Sequence, residues 1–344
     1  EQEIGHYFVP RYTRVVDTVD SKDDINKAYS LISTSRVRNE MIIDDVKKSV
    51  AQKQTPVILT RFKEHAKLLY DALKNEADHV FLLYGDNSDK ENAEIRVKLK
   101  QIPKNESLIL VATGQKIGEG FDFPRLDVLM LAAPVSFEGR LEQYVGRLNR
   151  DYEGKVYVYD YIDAHVRFFN KMYGKRLKTY KRTGFSIWTG DVRSKQIINA
   201  IYDSGNYKEK FEQDIVEAEK SIVISSPDIR QVEIDRLLLL VKDRQEQGVN
   251  VTVITTDPEE VIYGSADVCY HLIKLMKQVG INVVAKTEVG ERFAVIDDEL
   301  VWHGGMNLLG KVDIWDNLMR IKNHQVAAEL LEISLGTTRE FRGG

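Results

Sequence analysis

Gln143, Gly146, Arg147 and Arg150 stand in the stretch EGRLEQYVGRLNR at offsets of zero, three, four and seven. On a helix these offsets put all four on one face. Leu141, Tyr144, Val145 and Leu148 repeat the same spacing on another face, which suits a core. A helix that buries one side and presents two guanidinium groups from the other could grip phosphates, because each guanidinium offers a planar fork of donors. A solvated helix that carries arginines by chance has the same pattern, so this segment alone leaves both readings open.

A second set of residues lies shortly upstream, in ATGQKIGEGFDFPRLDVLMLAAP. Gly114, Gly118 and Gly120 allow a close backbone approach and leave N–H groups free to face an anion. Asp122, between Phe121 and Phe123, could meet a ligand hydroxyl. Many glycine-bearing loops are only turns. This one gains weight from preceding the Gln/Arg helix by a single strand.

The elements that must position these residues alternate. Apolar runs near 56–61, 79–85, 107–113, 127–134 and 155–162 read as strands, with helical stretches HAKLLYDAL, DKENAEIRVKLKQI and EQYVGRLNR between them. Short apolar strands separated by helices predict a parallel α/β sheet covered on both faces. Ligands of such sheets sit where strands end at their carboxyl side, which is where Thr60–Arg61, Tyr84–Gly85 and Thr113–Gly114 fall. The opening EQEIGHYFVPRYTRVV also reads as strand. Its start at Glu1 without a Met suggests a piece of a longer protein.

The order of these segments resembles motifs of the superfamily-2 helicases and translocases. TPVILTRFKEHAKLLYDAL is similar to their motif IV, LILVATGQKIGEGFDFPRLDVLMLAAP to motif V and LEQYVGRLNR to motif VI. The resemblance covers residues 1–185 and implies the second RecA-like lobe. It implies that Gln143 and Arg147 meet the γ-phosphate of ATP and that Arg150 is an arginine finger stabilising charge on the transferred phosphoryl group. Gly118, Gly120, Asp122 and Gly146 would lie at the nucleotide and the lobe interface. Arg61, Thr113, Gly114 and Gln115 would contact a nucleic-acid backbone. No G-x-x-x-x-G-K-[ST] loop occurs in the sequence, and so no DExx box follows one; the DELV at 298–301 lies in the last third of the chain, in the hairpin described below. The phosphate cradle and the Mg2+ site would therefore belong to an N-terminal RecA-like lobe as partner, and this chain alone should not turn over ATP.

The junction HVRFFNKMYGKRLKTYKRTGF carries Arg167, Lys171, Lys175, Arg176, Lys178, Lys181 and Arg182 with no acidic residue. Basic residues among aromatics suit a track for single-stranded DNA or RNA, with Lys175, Arg176, Lys178 and Lys181 as contacts. An amphipathic helix that packs Phe168, Phe169, Tyr173 and Tyr180 and solvates its lysines is the alternative. Packing is the expectation for the aromatics.

Residues 186–344 read as a second α/β domain, with strands at 220–227, 249–257 and 281–288, helices between them and a hairpin in RFAVIDDELVWHGG turning at Asp297, Asp298 and Glu299. RFAVIDDELVWHGGMN resembles the phospholipase D superfamily, whose signature is H-x-K-x4-D followed by G-[SG]-x-N. Matching Asp297, Gly304, Gly305 and Asn307 to that signature puts Arg292 at the lysine and Gly290 at the nucleophilic histidine. The resemblance thus implies a degenerate, catalytically silent relative that binds a nucleic-acid backbone or forms a homodimer. His303 reads as a hairpin residue, and Asp297 and Asp298 as turn residues rather than metal ligands; no metal is expected there.

Composition limits the remaining classes. The 344 residues, 43% hydrophobic and 30% charged, suit two soluble domains. A net charge of -4 gives no global basic signature, so nucleic-acid contact would be local. The single Cys269 rules out internal disulfides and fits a reducing cytoplasm. No apolar run is long enough to span a bilayer, so no membrane partner is expected. The leading expectation is the carboxyl-terminal part of an ATP-dependent helicase or translocase, with DNA repair or defence as natural settings. A helicase-nuclease and a non-enzymatic nucleic-acid clamp are the alternatives.

Overall fold

The computed structural model describes residues 5–118, 121, 125–135, 143–144, 154–188, 200–261, 264–287 and 289–336. The chain forms two compact units. One comprises the residues up to Met172 together with Thr179–Gly190; the other comprises Tyr173–Lys178 and the residues from Asp191 onward.

The first unit is a seven-stranded, wholly parallel sheet. Its strands are β1 (His6–Tyr12), β2 (Pro56–Thr60), β3 (His79–Leu83), β4 (Leu108–Thr113), β5 (Val128–Leu131), β6 (Val156–Ile162) and β7 (Ser186–Ile187), in the order β3-β4-β2-β5-β6-β1-β7. Ile58, Ile109, Val111, Val128 and Met130 face a core shared with α2 (Arg36–Ala51) and α3 (Lys63–Leu73). The alternate residues Val57, Leu59, Leu110, Leu129 and Leu131 are buried as well, so both sides of the sheet are covered. This is the α/β architecture expected from the sequence. Pro10 sits in β1 beyond the two residues that pair with β7, where its missing N–H costs no ladder bond on that side.

Helix starts follow side-chain chemistry. Asp24 caps α1 (Ile25–Thr34), Ser35 caps α2, and Ser88 with Glu91 forms a reciprocal capping box on α4 (Asp89–Gln101). A buried ion pair ties the layers together. Arg38 of α2 donates from Nε to Asp163 at 2.8 Å and from Nη1 to the Ala132 carbonyl at 2.6 Å, and Thr13 donates to the same Asp163 at 2.5 Å.

The short α5 (Gly114–Gly118) follows β4, and α6 (Arg167–Arg182) follows β6. The aromatics of α6 are buried as expected: Phe8 stacks on Tyr180 at 4.3 Å, and Phe169 and Tyr173 are fully covered. Within α6, Tyr173–Lys178 groups with the second unit.

The second unit has a mixed sheet in the order β11-β10-β9-β12-β13-β14-β8. Its strands are β8 (Ala200–Asp203), β9 (Ser221–Ser225), β10 (Asn250–Thr256), β11 (Asn282–Lys286), β12 (Phe293–Ile296), β13 (Leu300–Gly304) and β14 (Asn317–Lys322). β9, β10 and β11 are parallel; β12, β13, β14 and β8 join antiparallel. Helices α7 (Tyr207–Val216), α8 (Gln231–Glu246) and α9 (Ala266–Gln278) bury Phe211, Leu237, Val241, Leu272 and Met276 in its core, and α10 (His324–Leu335) closes the described chain.

Candidate functional site

Because the strands of the first sheet all run one way, their carboxyl ends share one rim. A cleft of about 660 Å³ opens there, lined by Thr60, Arg61, Thr113, Gly114, Pro134 and Tyr144 among others. Tyr29 of α1 is its organising plate. The Tyr29 hydroxyl donates to the Pro134 carbonyl at 3.0 Å, fixing the exit of β5. The Arg61 guanidinium lies 4.3 Å from the centre of the same ring, while the arginine remains exposed to solvent. Stacking on an aromatic face preorganises a guanidinium without using its donors.

Thr60 is committed to the scaffold. Its hydroxyl meets His65 Nδ1 at 2.5 Å, and His65 Nε2 meets Asn39 Oδ1 at 2.8 Å. Burial, aided by the charge of Arg38, lowers the His65 pKa to about 3, so the imidazole is neutral and serves as a hydrogen-bonding strut. Beside it, α3 begins at Lys63 with no side-chain cap on its first-turn amides.

On the other wall the Tyr144 hydroxyl donates to the Gly114 carbonyl at 3.2 Å. A Cβ on Gly114 would lie 2.9 Å from that hydroxyl, so this close contact favours glycine. Gln143 and Tyr144 are helical, with Tyr144 buried and Gln143 exposed.

The structure therefore brings Arg61, Thr113 and Gly114 to one cleft and ties the Gln143 segment to it. Gln115 and Gly118 follow in α5. Gly120, Asp122, Gly146, Arg147 and Arg150 lie outside the described residues. On α6, Lys175 and Lys181 are exposed and Lys178 is half-buried. Arg176 departs from the expected nucleic-acid track: it is buried, with its guanidinium 5.8 Å from the Tyr173 ring centre. The reason is helical period, since Tyr173, Arg176, Leu177 and Tyr180 share the covered face. Sequence reasoning missed Tyr29 and Arg38; neither lies in the segments that carried the motif resemblance.

In the second unit the degenerate motif divides between the two ends of β12. At one end, Arg292 donates from Nη1 to the Gly305 carbonyl at 2.5 Å. Burial lowers the Arg292 pKa from its usual value, opposed by the carboxylates of Asp316 and Asp228. Gly290 has open space where a Cβ would go, with no atom of the described residues within 4 Å of it. Gly304 differs: a Cβ there would lie 2.1 Å from the Asn317 carbonyl oxygen of the paired strand. The Asn307 side chain accepts from the Asp228 N–H at 3.4 Å, linking the motif tail to the loop after β9.

At the other end, Asp297 and Asp298 occupy the hairpin turn with φ of 54° and 58°, the left-handed pair that tight hairpins use. The Asp297 carboxylate accepts from the backbone N–H groups of Glu219, Lys220 and Ser221 at 2.7 to 3.1 Å. It binds the hairpin to the start of β9 and is separated from Arg292 by the length of β12. His303 is fully buried within the sheet.

Residues 211–333 match the family model described as cardiolipin synthase, PLD-like domain, so this segment is a phospholipase D-like domain. The chain belongs to one family with the uncharacterized protein 108L of Invertebrate iridescent virus 3, to which it is 37% identical over 83 residues, 24% of this chain and 76% of that protein. It is also 30% identical over 174 residues to "Putative helicase 161L" of Invertebrate iridescent virus 6, covering 48% of this chain and 38% of that protein. Transcript termination protein A18 of Yaba-like disease virus is 30% identical over 123 residues, 35% of this chain and 25% of that protein. The chain thus spans between a quarter and two fifths of the length of the last two relatives.

Proposed function

We propose that this chain is the carboxyl-terminal part of an ATP-dependent helicase or translocase acting on DNA or RNA. Its first unit is the second RecA-like lobe, and its PLD-like domain is a non-cleaving accessory. The observation that carries the reading is the convergence of Arg61, Thr113 and Gly114 at one rim, with the Gln143 segment anchored to Gly114 through Tyr144. Arg61 and the uncapped start of α3 suit the phosphates of a nucleic-acid backbone. The similarity to the two viral proteins named for helicase and transcript-termination roles supports the same reading.

ATP with Mg2+ would be held chiefly by a preceding lobe. Hydrolysis of that nucleotide supplies the energy for movement, and this chain contributes Gln143, Arg147 and Arg150, with Gly118, Gly120, Asp122 and Gly146 at the nucleotide side. The exposure of Gln143 beside the buried Tyr144 supports that role, because the Gln143 side chain is left open to a ligand. Gly290 offers no atom for nucleophilic attack on a phosphodiester, which supports a silent PLD-like domain. A cytoplasmic setting, a homodimer through that domain and a DNA-repair role remain parts of the proposal. Arg150→Ala in the full-length protein should lower nucleic-acid-stimulated ATP turnover by about 10³-fold or more while leaving the circular dichroism spectrum unchanged. A loss below tenfold would remove the arginine finger from the scheme.

A further inference from the structure

Trp315 lies at the tip of a loop in the second unit, 66% exposed and next to Ile314, which is 73% exposed. An indole left this open forgoes the burial that most tryptophans obtain. The loop does not present it loosely. The Trp315 N–H donates to Asp313 Oδ1 at 3.4 Å, the Asp313 N–H to Asp316 Oδ2 at 3.1 Å, and the Asp316 N–H to the Asp313 carbonyl at 3.1 Å. Ser204 holds the Ile314 carbonyl at 3.3 Å, and Asn317 holds that of Trp315 at 3.3 Å. A built turn thus holds an aromatic plate in solvent.

Both a cation and two carboxylates belong to the surroundings of the plate. The Lys178 ammonium, from the part of α6 that groups with this unit, lies 5.1 Å from the Trp315 ring centre. Lys175 and Lys311 are exposed on the same unit. The nearby acids are engaged: both carboxylates accept the turn's own N–H groups, and Asp316 is directed toward Gly305, where a Cβ would come within 2.9 Å of its Oδ1. A ring with an ammonium 5.1 Å from its centre and a large exposed surface has the chemistry of a platform for a nucleobase with a phosphate alongside.

We infer that Trp315 is a base-stacking site for single-stranded nucleic acid, with Lys178 set beside it to meet the adjoining backbone. The inference rests on the nucleic-acid reading above and gives the PLD-like domain a share in substrate binding without cleavage. The test measures anisotropy of a short fluorescein-labelled oligothymidylate with the whole chain. Trp315→Ala and Trp315→Leu should each weaken binding about tenfold, while Trp315→Phe stays within about threefold of wild type, because a π-face is what matters. An abasic oligonucleotide of equal length should bind wild type and Trp315→Ala alike. Wild-type binding that Trp315→Ala and Trp315→Leu keep in full would overturn the stacking site alone. No binding by the wild-type chain would overturn the nucleic-acid reading with it. A blue shift of tryptophan emission on anionic phosphatidylserine vesicles that Trp315→Phe abolishes, with oligonucleotide affinity unaffected by the same change, would assign the loop to lipid instead.

Discussion

The two sheets handle a sequence motif in opposite ways. In the first unit every strand runs in the same direction, so residues far apart in sequence, such as Arg61 and Gly114, reach one rim. In the second unit the motif runs along an antiparallel hairpin, so Arg292 and Asp297 stand at opposite ends of β12. A motif distributed over a parallel sheet is gathered by the fold. A motif lying along one strand is spread out unless another segment returns to meet it.

Both units also contain a buried Asp–Arg pair, and the pairs differ in what they hold. Arg38 joins Asp163 to the carbonyl of Ala132, where β5 leaves the sheet toward the cleft. Arg320 makes a two-pronged contact with Asp214 at 2.8 and 2.9 Å, and Trp302 Nε1 donates to the same carboxylate at 2.8 Å, inside the core. Arg38→Ala should cost about 3–5 kcal/mol in urea denaturation, since Asp163 is left charged and enclosed. It should also weaken oligonucleotide binding at the cleft beyond what Arg320→Ala does at matched folded fraction. Equal binding losses in the two variants would erase the distinction between a pair that shapes the site and one that only secures a core.

The glycines of the second motif sharpen the comparison at lower energy. Gly304→Ala should cost about 3 kcal/mol, because its methyl group meets backbone of the neighbouring strand. Gly290→Ala should change stability by less than about 0.5 kcal/mol, having only open space to fill. Similar losses at both positions would mean that Gly290 is as constrained as Gly304.

The last expected effect is one of pH. Asp127, which accepts the Thr55 N–H at 2.7 Å, has its pKa raised by burial from 3.8 to about 6, desolvation outweighing that bond. The folded chain then keeps a proton that the unfolded chain has already released. Stability from this group is full below about pH 4 and declines as pH rises to about 6. Asp127→Asn should be about 2 kcal/mol more stable than wild type at pH 7 and equal to it near pH 3.5, read from urea midpoints. A gain that persists undiminished in acid would point to a cause other than titration.

The sheet strands were legible because buried parallel strands are short apolar runs, and the segments at 56–60, 79–83 and 108–113 fall where the pattern put them. Helices α1 and α2 were not legible. α2 buries Arg38, Asn39, Asp45 and Ser49, so polar residues occupy the positions that hydrophobic periodicity would have marked. The cleft was legible through Arg61, Thr113 and Gly114, whose positions at strand ends follow from the alternation. Tyr29 was not, because its role depends on α1 meeting residues more than 100 positions away. Arg176 shows the reverse: within a basic run it stands among the nucleic-acid contacts expected from the sequence, yet its helix turns it toward Tyr173.

Asp297 carries a last consequence. Its oxygens clasp three main-chain amides, so the hairpin would come loose from its neighbour without it whether or not any bond is ever cut. A signature letter can thus fasten a fold as well as serve whatever chemistry is assigned to it. Its survival in a sequence is accounted for by joinery alone and is no witness to a reaction.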